Sequence, residues 1–367
     1  MLMDKLAEPR TRQLPIVVCD GAPYARGHAH GSQMRGVIAV GVERWSASLR
    51  RRHDVAPDRY IDAFLAGTDF LPAIDRHTPG LLDEVRGIAV GAGQPFATIL
   101  AYNLMDEEWT FGERFAADRT ARNGSPGCTV AYLRPAADDA VLAQTMDIPS
   151  VHDGTQIVLD LRPEDQPRAL VFTAAGMIAL TGVNGHGVGV VVNNLSVLPG
   201  STTGLPVMFA IRGILAQATH HGAAGFVGAV PHATGQNYAI GSPTGFVSLE
   251  ADAARVSADP NAAGDRFVHT NHPLVNRPAD PDPAADYAAS NTRRRFDRAA
   301  ELLALAVDQP GVERLLQDEA APISCAPRAG AMTFGAVSIR LSTSPTVRVT
   351  PGPPHLHDFV EVGFQGV

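Results

Sequence analysis

The chain has 367 residues, of which 45% are hydrophobic and 19% are charged, so it can bury a large core and is not expected to be disordered. Its formal net charge of −8 predicts no basic surface for nucleic acid or for an anionic membrane. Lys5 is the only lysine, which excludes mechanisms that need an interior lysine, such as a pyridoxal Schiff base or a phosphate-binding loop.

The chain shows no apolar leader and no apolar run long enough to cross a bilayer, which predicts a cytoplasmic protein without a membrane partner. The three cysteines, Cys19, Cys128 and Cys325, are too few and too scattered for a disulfide framework or a cysteine-rich zinc site. We therefore expect neither a metal nor an organic cofactor.

The hydrophobic period changes near residue 125, from helical before it to strand-like after it. Helices are predicted within residues 31–111 and again at 207–219 and 291–307. Strands are predicted at 129–133, 141–147, 156–161, 169–173, 177–183, 188–194, 333–341, 346–350 and 359–364. This order favours an α+β fold with stacked antiparallel sheets.

A cysteine lies where the pattern changes, at the start of a predicted hairpin. Cys128 and Asp147 are equally far from the middle of the turn at 135–140, so a symmetric hairpin makes them cross-strand neighbours. A carboxylate raises the pKa of a nearby thiol, but it also orients an amine beside that thiol. Cleavage before Cys128 would create such an amine, with a pKa of about 8 that suits a base for its own thiol. Gly127 favours this cleavage, because a residue without Cβ leaves its carbonyl open to attack.

The segment Gly127-Cys128-Thr129-x-Ala131-Tyr132 resembles the autoprocessing site of the acyl-coenzyme A:6-aminopenicillanic-acid (isopenicillin N) acyltransferase family. The resemblance runs through nearly the whole chain in the same order. The other matching segments are CDGAP (19–23), GHAHG (27–31), EVRGIA (84–89), Asn103 with Glu107, QTMD (144–147), GVNGHGVG (182–189) with Asn193, and VHTNH (268–272).

The resemblance implies the four-layer αββα sandwich of N-terminal nucleophile hydrolases, made as one precursor. Residues 1–127 would form a helical N-terminal part, the α chain after self-cleavage, and residues 128–367 the β chain, together one compact unit. Cys128 is then the nucleophile, Asp147 orients its α-amine and Asn271 contributes to the oxyanion hole. Asn193 or Asn194 is the candidate for a second oxyanion contact, and the spacing leaves the choice between them open.

Further residues are candidates for the substrate pocket: Glu107, Thr145, His269 and Arg328. Arg328-Ala329 stands before Gly330 where the penicillin enzyme has a Ser-Arg pair, which indicates a different pocket. The arginines at 293–295 are interpreted as the solvated start of a helix, with carboxylate binding by one of them as the alternative.

The predicted function is a self-processing cysteine amide hydrolase or acyltransferase that acts on a small-molecule linear amide or thioester. Two alternatives stay open. Paired histidines at 28/30, 220/221, 269/272 and 355/357 could serve a metal-dependent hydrolase, although they lack the spacing of a known zinc motif. A non-catalytic, unprocessed binding protein of the same fold is the other.

Overall fold

The structure, a computed structural model, describes residues 13–115, 127–136, 139–278, 291–327 and 330–364. Its helices are α1 (Pro23–Gln33), α2 (Arg35–His53), α3 (Pro57–Ala66), α4 (Leu71–His77), α5 (Leu81–Ala92), α6 (Phe96–Tyr102), α7 (Met105–Phe115), α8 (Val207–Leu215), α9 (His220–Ala229), α10 (Thr292–Leu305) and α11 (Gln309–Leu316). Its strands are β1 (Ile16–Asp20), β2 (Cys128–Leu133), β3 (Ala140–Pro149), β4 (Gln156–Arg162), β5 (Ala169–Ala174), β6 (Thr181–Asn184), β7 (Gly189–Asn194), β8 (Gln236–Ser242), β9 (Gly245–Ala251), β10 (Val256–Ala258), β11 (Arg266–His269), β12 (Ala331–Leu341), β13 (Thr346–Val349) and β14 (Val360–Gly363).

The strands form two sheets. The eight-stranded sheet has the order β1-β4-β5-β6-β7-β8-β9-β10, and the six-stranded sheet has the order β11-β2-β3-β12-β13-β14. The β1–β4 pair is parallel, and the other pairs are antiparallel. Because β1 precedes the predicted cleavage point and β4 follows it, the N-terminal part is joined to the rest through a shared sheet.

The two sheets face each other and each carries helices on its outer side. Helices α8 and α9 pack on the eight-stranded sheet, and α10 and α11 pack on the six-stranded one. Successive side chains of β2 point to opposite faces of the six-stranded sheet. Val130 and Tyr132 belong to the core between the sheets, whereas Ala131 and Leu133 pack with α10 and α11. The predicted αββα sandwich is therefore confirmed.

The strand and helix predictions are confirmed in most places, with several corrections. The N-terminal part is not purely helical, since it contains β1, and the strand expected over 177–183 is confined to Thr181–Asn184. Strands β8 to β11, helices α9 and α11 and most of α1 were not predicted. Within the described residues, no helix is both long enough and apolar enough to span a membrane.

The predicted register of the β2–β3 hairpin is wrong by one residue. Cys128 pairs with Met146, not with Asp147. Asp147 is instead opposite Gly127, whose carbonyl oxygen accepts a hydrogen bond from the Asp147 N–H at 2.7 Å. Since a shift of one residue moves a side chain to the other face of a sheet, Asp147 lies beside the Gly127–Cys128 peptide rather than directly across from the thiol.

Candidate active site

Cys128 begins β2 with every polar atom of its backbone held by a buried side chain. Its N–H donates to Asn271 Oδ1 at 2.6 Å. Its carbonyl oxygen accepts from Arg295 Nη1 at 2.7 Å and from Asn193 Nδ2 at 3.1 Å. Cys128 is therefore held in place by β7, by α10 and by the segment that follows β11. A nucleophile needs such a fixed position, because it must approach its substrate in one geometry.

Gly127 lies where two charged side chains approach the chain closely. A Cβ added to it would lie 2.9 Å from Arg295 Nη2 and 3.0 Å from Asp147 Oδ2. The other carboxylate oxygen of Asp147 accepts from Thr333 Oγ1 at 2.5 Å, which fixes the direction of the carboxylate. Any side chain at position 127 would displace this charged pair from the Gly127–Cys128 peptide.

The Cys128 thiol is strongly disfavoured as a thiolate in the uncleaved chain. Burial and then the Asp147 carboxylate raise its pKa to about 12, while the Arg295 guanidinium acts in the opposite direction. A thiol with such a pKa needs a base close by to become a nucleophile at neutral pH.

Arg295 is the residue that the sequence interpretation missed. Arg293 and Arg294 are exposed as expected, but Arg295 is only 2% exposed. Besides Cys128 O, its guanidinium donates to Thr129 Oγ1 at 3.0 Å, to Asn271 Oδ1 at 2.9 Å and to Asn291 Oδ1 at 3.1 Å. The helical period contains the missing signal, because the buried stripe of α10 consists of Thr292, Arg295, Ala299 and Leu303.

A small, partly open cavity lies beside Cys128. It lies between β3, the ends of β6 and β7, and helices α7 and α8. Most of its walls are apolar, and its polar members are Asp106, Gln144, Asn194 and Gln236 together with Cys128 and Asp147. The apolar lining consists of Met105, Trp109, Met146, Ile148, Leu180, Val192, Val207, Met208 and Ile211.

The two neighbouring asparagines of β7 face opposite ways. Both ends of the Asn193 amide are occupied, since Nδ2 donates to Cys128 O and Oδ1 accepts from the side-chain Nδ2 of Asn237 at 3.0 Å. Asn194 lines the cavity, and its carbonyl oxygen accepts from Asn271 Nδ2 at 3.0 Å. Of the two asparagines, Asn194 is the one that lines the cavity, and the choice of oxyanion residue stays a prediction.

The predicted pocket residues Glu107 and Thr145 do not line this cavity. Glu107 Oε1 accepts from the Val207 N–H at 3.0 Å and from Thr234 Oγ1 at 3.2 Å, which places it at the start of α8. Burial and then Asp106 raise the pKa of Glu107 to about 8. Thr145 is on the same face of β3 as Ala143, which packs toward α10 and α11. Arg328 lies outside the described residues.

His269 organises the loop that carries Asn271. Its Nδ1 lies 2.6 Å from Thr270 O and its Nε2 lies 2.9 Å from Glu250 Oε1, so both ring nitrogens face acceptors. Glu250 also accepts the N–H groups of Leu274 and Asn276, at 2.5 and 2.6 Å. His269 therefore lies behind the site and not in the cavity lining.

The other histidines are distributed over separate parts of the fold. His30 Nε2 accepts from the Gly176 N–H at 3.0 Å, and burial lowers the pKa of His30 to about 4. His220 Nδ1 lies 2.8 Å from Ser242 Oγ. In the part of the chain that the structure describes, no three His, Cys, Asp or Glu side chains are grouped so as to hold a metal ion.

Comparison with known proteins identifies relatives in sequence and in fold. A curated relative, the 40 kDa form of acyl-coenzyme A:6-aminopenicillanic-acid-acyltransferase from Emericella nidulans, is 26% identical over 261 residues, which cover 71% of this chain and 70% of that protein. Among solved structures, a variant of the conjugated bile acid hydrolase from Clostridium perfringens has a TM-score of 0.46 at 13% identity, covering 65% of this chain and 92% of that one. The penicillin V acylase from Agrobacterium tumefaciens has a TM-score of 0.41 at 13% identity, covering 65% and 86%.

The match to a protein family covers more than half of the chain. The model of the family described as acyl-coenzyme A:6-aminopenicillanic acid acyl-transferase matches residues 135–335. This range includes Asp147, Asn194, Asn271 and Arg295, which surround Cys128 in the structure. The chain therefore belongs to the acyl-coenzyme A:6-aminopenicillanic acid acyl-transferase family, which confirms the resemblance seen in the sequence and the expectation of an acyltransferase- or amidase-type enzyme.

Proposed function

We propose that the protein is a self-processing cysteine amide hydrolase or acyltransferase, with Cys128 as the nucleophile and the Gly127–Cys128 bond as the processing site. The observation that carries the proposal is the arrangement of that peptide bond. Its carbonyl oxygen accepts from the Asp147 N–H at 2.7 Å, and its nitrogen donates to Asn271 Oδ1 at 2.6 Å. Both partners are members of the site that the family resemblance implies.

Self-cleavage would begin with attack of the Cys128 Sγ on the Gly127 carbonyl carbon. The Asp147 N–H is already directed at the oxygen on which negative charge develops, as an oxyanion donor must be. Breakage of the C–N bond gives a thioester between Gly127 and Cys128, and the nitrogen leaves with a proton as a free amine. Water then hydrolyses the thioester, which releases a carboxylate on Gly127 and the thiol of Cys128.

In the processed enzyme the new α-amine of Cys128 serves as the base for its own thiol. It remains next to Asn271 Oδ1 and close to the Asp147 carboxylate, which orient it. The thiol attacks the substrate carbonyl, the protonated amine gives its proton to the leaving group, and water or an amine resolves the acyl-enzyme. Asn271 Nδ2 donates one hydrogen to the backbone oxygen of Asn194, and Asn194 Nδ2 donates one to Asp106 Oδ2. Each of the two amide groups has a second hydrogen, and these second hydrogens supply the oxyanion contacts.

The substrate is proposed to be a small-molecule linear amide or acyl thioester. The largely apolar cavity beside Cys128 supports an acyl group with apolar character. A cytoplasmic location is supported by the three cysteines, all of which are buried free thiols.

The experiment that tests the proposal is the intact mass of freshly purified protein. We expect the wild type to give two fragments, one ending at Gly127 and one beginning at Cys128, whose masses add to the 38.7 kDa chain plus one water. Cys128→Ala is expected to remain one chain. Cys19→Ala, which removes a buried thiol elsewhere, is the matched control and is expected to process normally. A single chain in the wild type, or equal cutting in Cys128→Ala, would overturn the proposal and favour the binding-protein or metal alternative.

A further inference from the structure

One carboxylate ties down the loop that carries Asn271. Glu250 lies on β9 and is fully buried. Its two oxygens have four hydrogen-bond partners on the segment that begins at the end of β11. On Oε1 these are His269 Nε2 at 2.9 Å and the Leu274 N–H at 2.5 Å, and on Oε2 they are the N–H groups of Val275 at 3.1 Å and Asn276 at 2.6 Å. The loop of residues 270–273 is therefore held by Glu250 at both of its ends.

These contacts hold Glu250 in its ionised form. A carboxylate has about four acceptor positions, and backbone N–H groups directed at it favour the charged state. Burial acts to raise the pKa of Glu250, but the hydrogen bond and charge of His269 and the N–H groups of the loop outweigh burial and lower that pKa below its usual range. Since His269 Nε2 faces an ionised oxygen at 2.9 Å, this nitrogen must carry a hydrogen.

The second ring nitrogen of His269 faces another acceptor. Its Nδ1 lies 2.6 Å from the carbonyl oxygen of Thr270, which has no hydrogen to donate. A neutral imidazole has one N–H, and its other nitrogen needs a donor opposite it. An imidazolium, with a hydrogen on each nitrogen, is the form of His269 that satisfies both contacts.

Asn271 lies between the two points at which the loop is held. Its Oδ1 accepts the Cys128 N–H at 2.6 Å, and its Nδ2 donates one hydrogen to Asn194 O at 3.0 Å. The direction of the second amide hydrogen, which the proposed function assigns to the oxyanion, depends on where the loop backbone lies. Glu250 and His269 set that position.

We propose that Glu250 and His269 form a buried carboxylate–imidazolium pair that positions Asn271 for its oxyanion contact. The inference rests on the proposed function, because it takes Asn271 as an oxyanion donor. Neither residue of the pair belongs to the cavity lining, so both are positioning residues that act through Asn271. A neutral His269 would set a nitrogen lone pair against an oxygen lone pair and displace the loop, and a displacement of about 1 Å costs about 100-fold in rate.

The charge of His269 is tested without catalysis, by nitrogen-15 NMR of histidine-labelled, uncut Cys128→Ala. The His269 signals are those that disappear when His269→Gln is added. We expect both ring nitrogens of His269 to carry a hydrogen at neutral pH and to have similar chemical shifts. A neutral ring has one nitrogen without hydrogen and two widely separated shifts, and that pattern for His269 would overturn the inference.

His272, on the same loop, is the reference for a neutral ring in the same spectrum. Burial and then the positive charge of His269 lower the pKa of His272 to about 4, and Arg293 and Arg295 act in the same direction. His272 is therefore expected to show the widely separated shifts at neutral pH.

The positioning role is tested by turnover of hexanoyl p-nitroanilide in processed His269→Gln, whose amide can donate to Glu250 but carries no charge. We expect kcat to fall about 10- to 100-fold while KM changes by less than about twofold, because an oxyanion contact acts in the transition state. His220→Gln is the control, since His220 is a buried histidine on α9 that bonds Ser242, and it is expected to keep the wild-type kcat. Equal losses of kcat in the two variants, or a change confined to KM, would contradict the positioning role.

The NMR measurement separates this inference from the proposed function. An imidazolium at His269, in a protein whose wild type does not self-cleave, would sustain the ion pair and remove the proposed function. A neutral His269, in a protein whose wild type self-cleaves and hydrolyses the anilide, would overturn the ion pair and leave the proposed function in place.

Discussion

Arg295→Met removes a buried cation that contacts both Cys128 and Asn271. Four hydrogen bonds are lost, but two of the acceptors keep another donor, since Cys128 O retains Asn193 and Asn271 Oδ1 retains the Cys128 N–H. Deleting one member of a buried, hydrogen-bonded charge cluster costs about 3–5 kcal/mol, and the retained donors favour the lower end of that range. We therefore expect the free energy of unfolding to fall by about 3 kcal/mol in urea denaturation.

The same variant also tests the electrostatics of the thiol. Arg295 lowers the pKa of Cys128, so its removal raises that pKa further. A higher thiol pKa leaves less thiolate at neutral pH, by a factor of about ten for each pH unit of difference. We expect self-cleavage to be about tenfold slower, so that the uncut chain persists longer when intact mass is followed after dilution out of conditions that inhibit processing. The rate of self-cleavage is expected to recover as the pH is raised.

Arg294→Met is the matched control, because Arg294 precedes Arg295 on α10 and is exposed. It is expected to leave both the free energy of unfolding and the processing rate close to wild type. If Arg295→Met and Arg294→Met process at the same rate with the same pH dependence, the guanidinium has no part in the site and the reasoning is refuted.

Two further predictions concern a glycine and a carboxylate. Gly127→Ala is expected to slow self-cleavage at least tenfold, measured by mass spectrometry, because the added Cβ would displace Arg295 and Asp147. Little stability is expected to be lost, since the displaced atoms are the ends of side chains. Gly225→Ala, where an added Cβ meets nothing within 4 Å, is the control and should cut normally, and equal cleavage rates in the two variants would contradict the argument. Burial and then Asp106 raise the pKa of Glu107 to about 8, so the folded state holds a proton that the unfolded chain releases above about 4.5. The contribution of Glu107 to the free energy of unfolding is therefore fully present below pH 4.5. It is lost as the pH rises toward 8, by up to about 1.4 kcal/mol per pH unit. Glu107→Gln should show a flatter pH dependence in urea denaturation between pH 5 and 8, and curves parallel to wild type would refute the assignment.

Most of the architecture could be predicted from local patterns. The change from helical to strand-like period near residue 125, and most of the strands from Thr129 to Asn194, follow from hydrophobic spacing and from Gly and Pro turns. Strands β8 and β9 were not predicted, because polar residues such as Gln236, Asn237 and Glu250 interrupt their hydrophobic pattern. These residues are buried and take part in hydrogen-bonded networks. A polar residue looks the same in a sequence whether it is solvated or buried with partners.

The amino-acid sequence alone determined that Cys128 follows a glycine at the start of a strand, and that Asp147 and Asn271 belong to the motifs of one family. The tertiary structure decided the register that sets Asp147 against Gly127, since that register depends on turn geometry and packing and not on symmetry about the turn. It also decided which of three adjacent arginines turns inward, because only the docking of α10 on the six-stranded sheet selects the face that is buried. The acceptors of Gln144, Gln236 and Asp106 lie on β3, β8 and α7, and only packing brings elements so distant in the chain into one cavity.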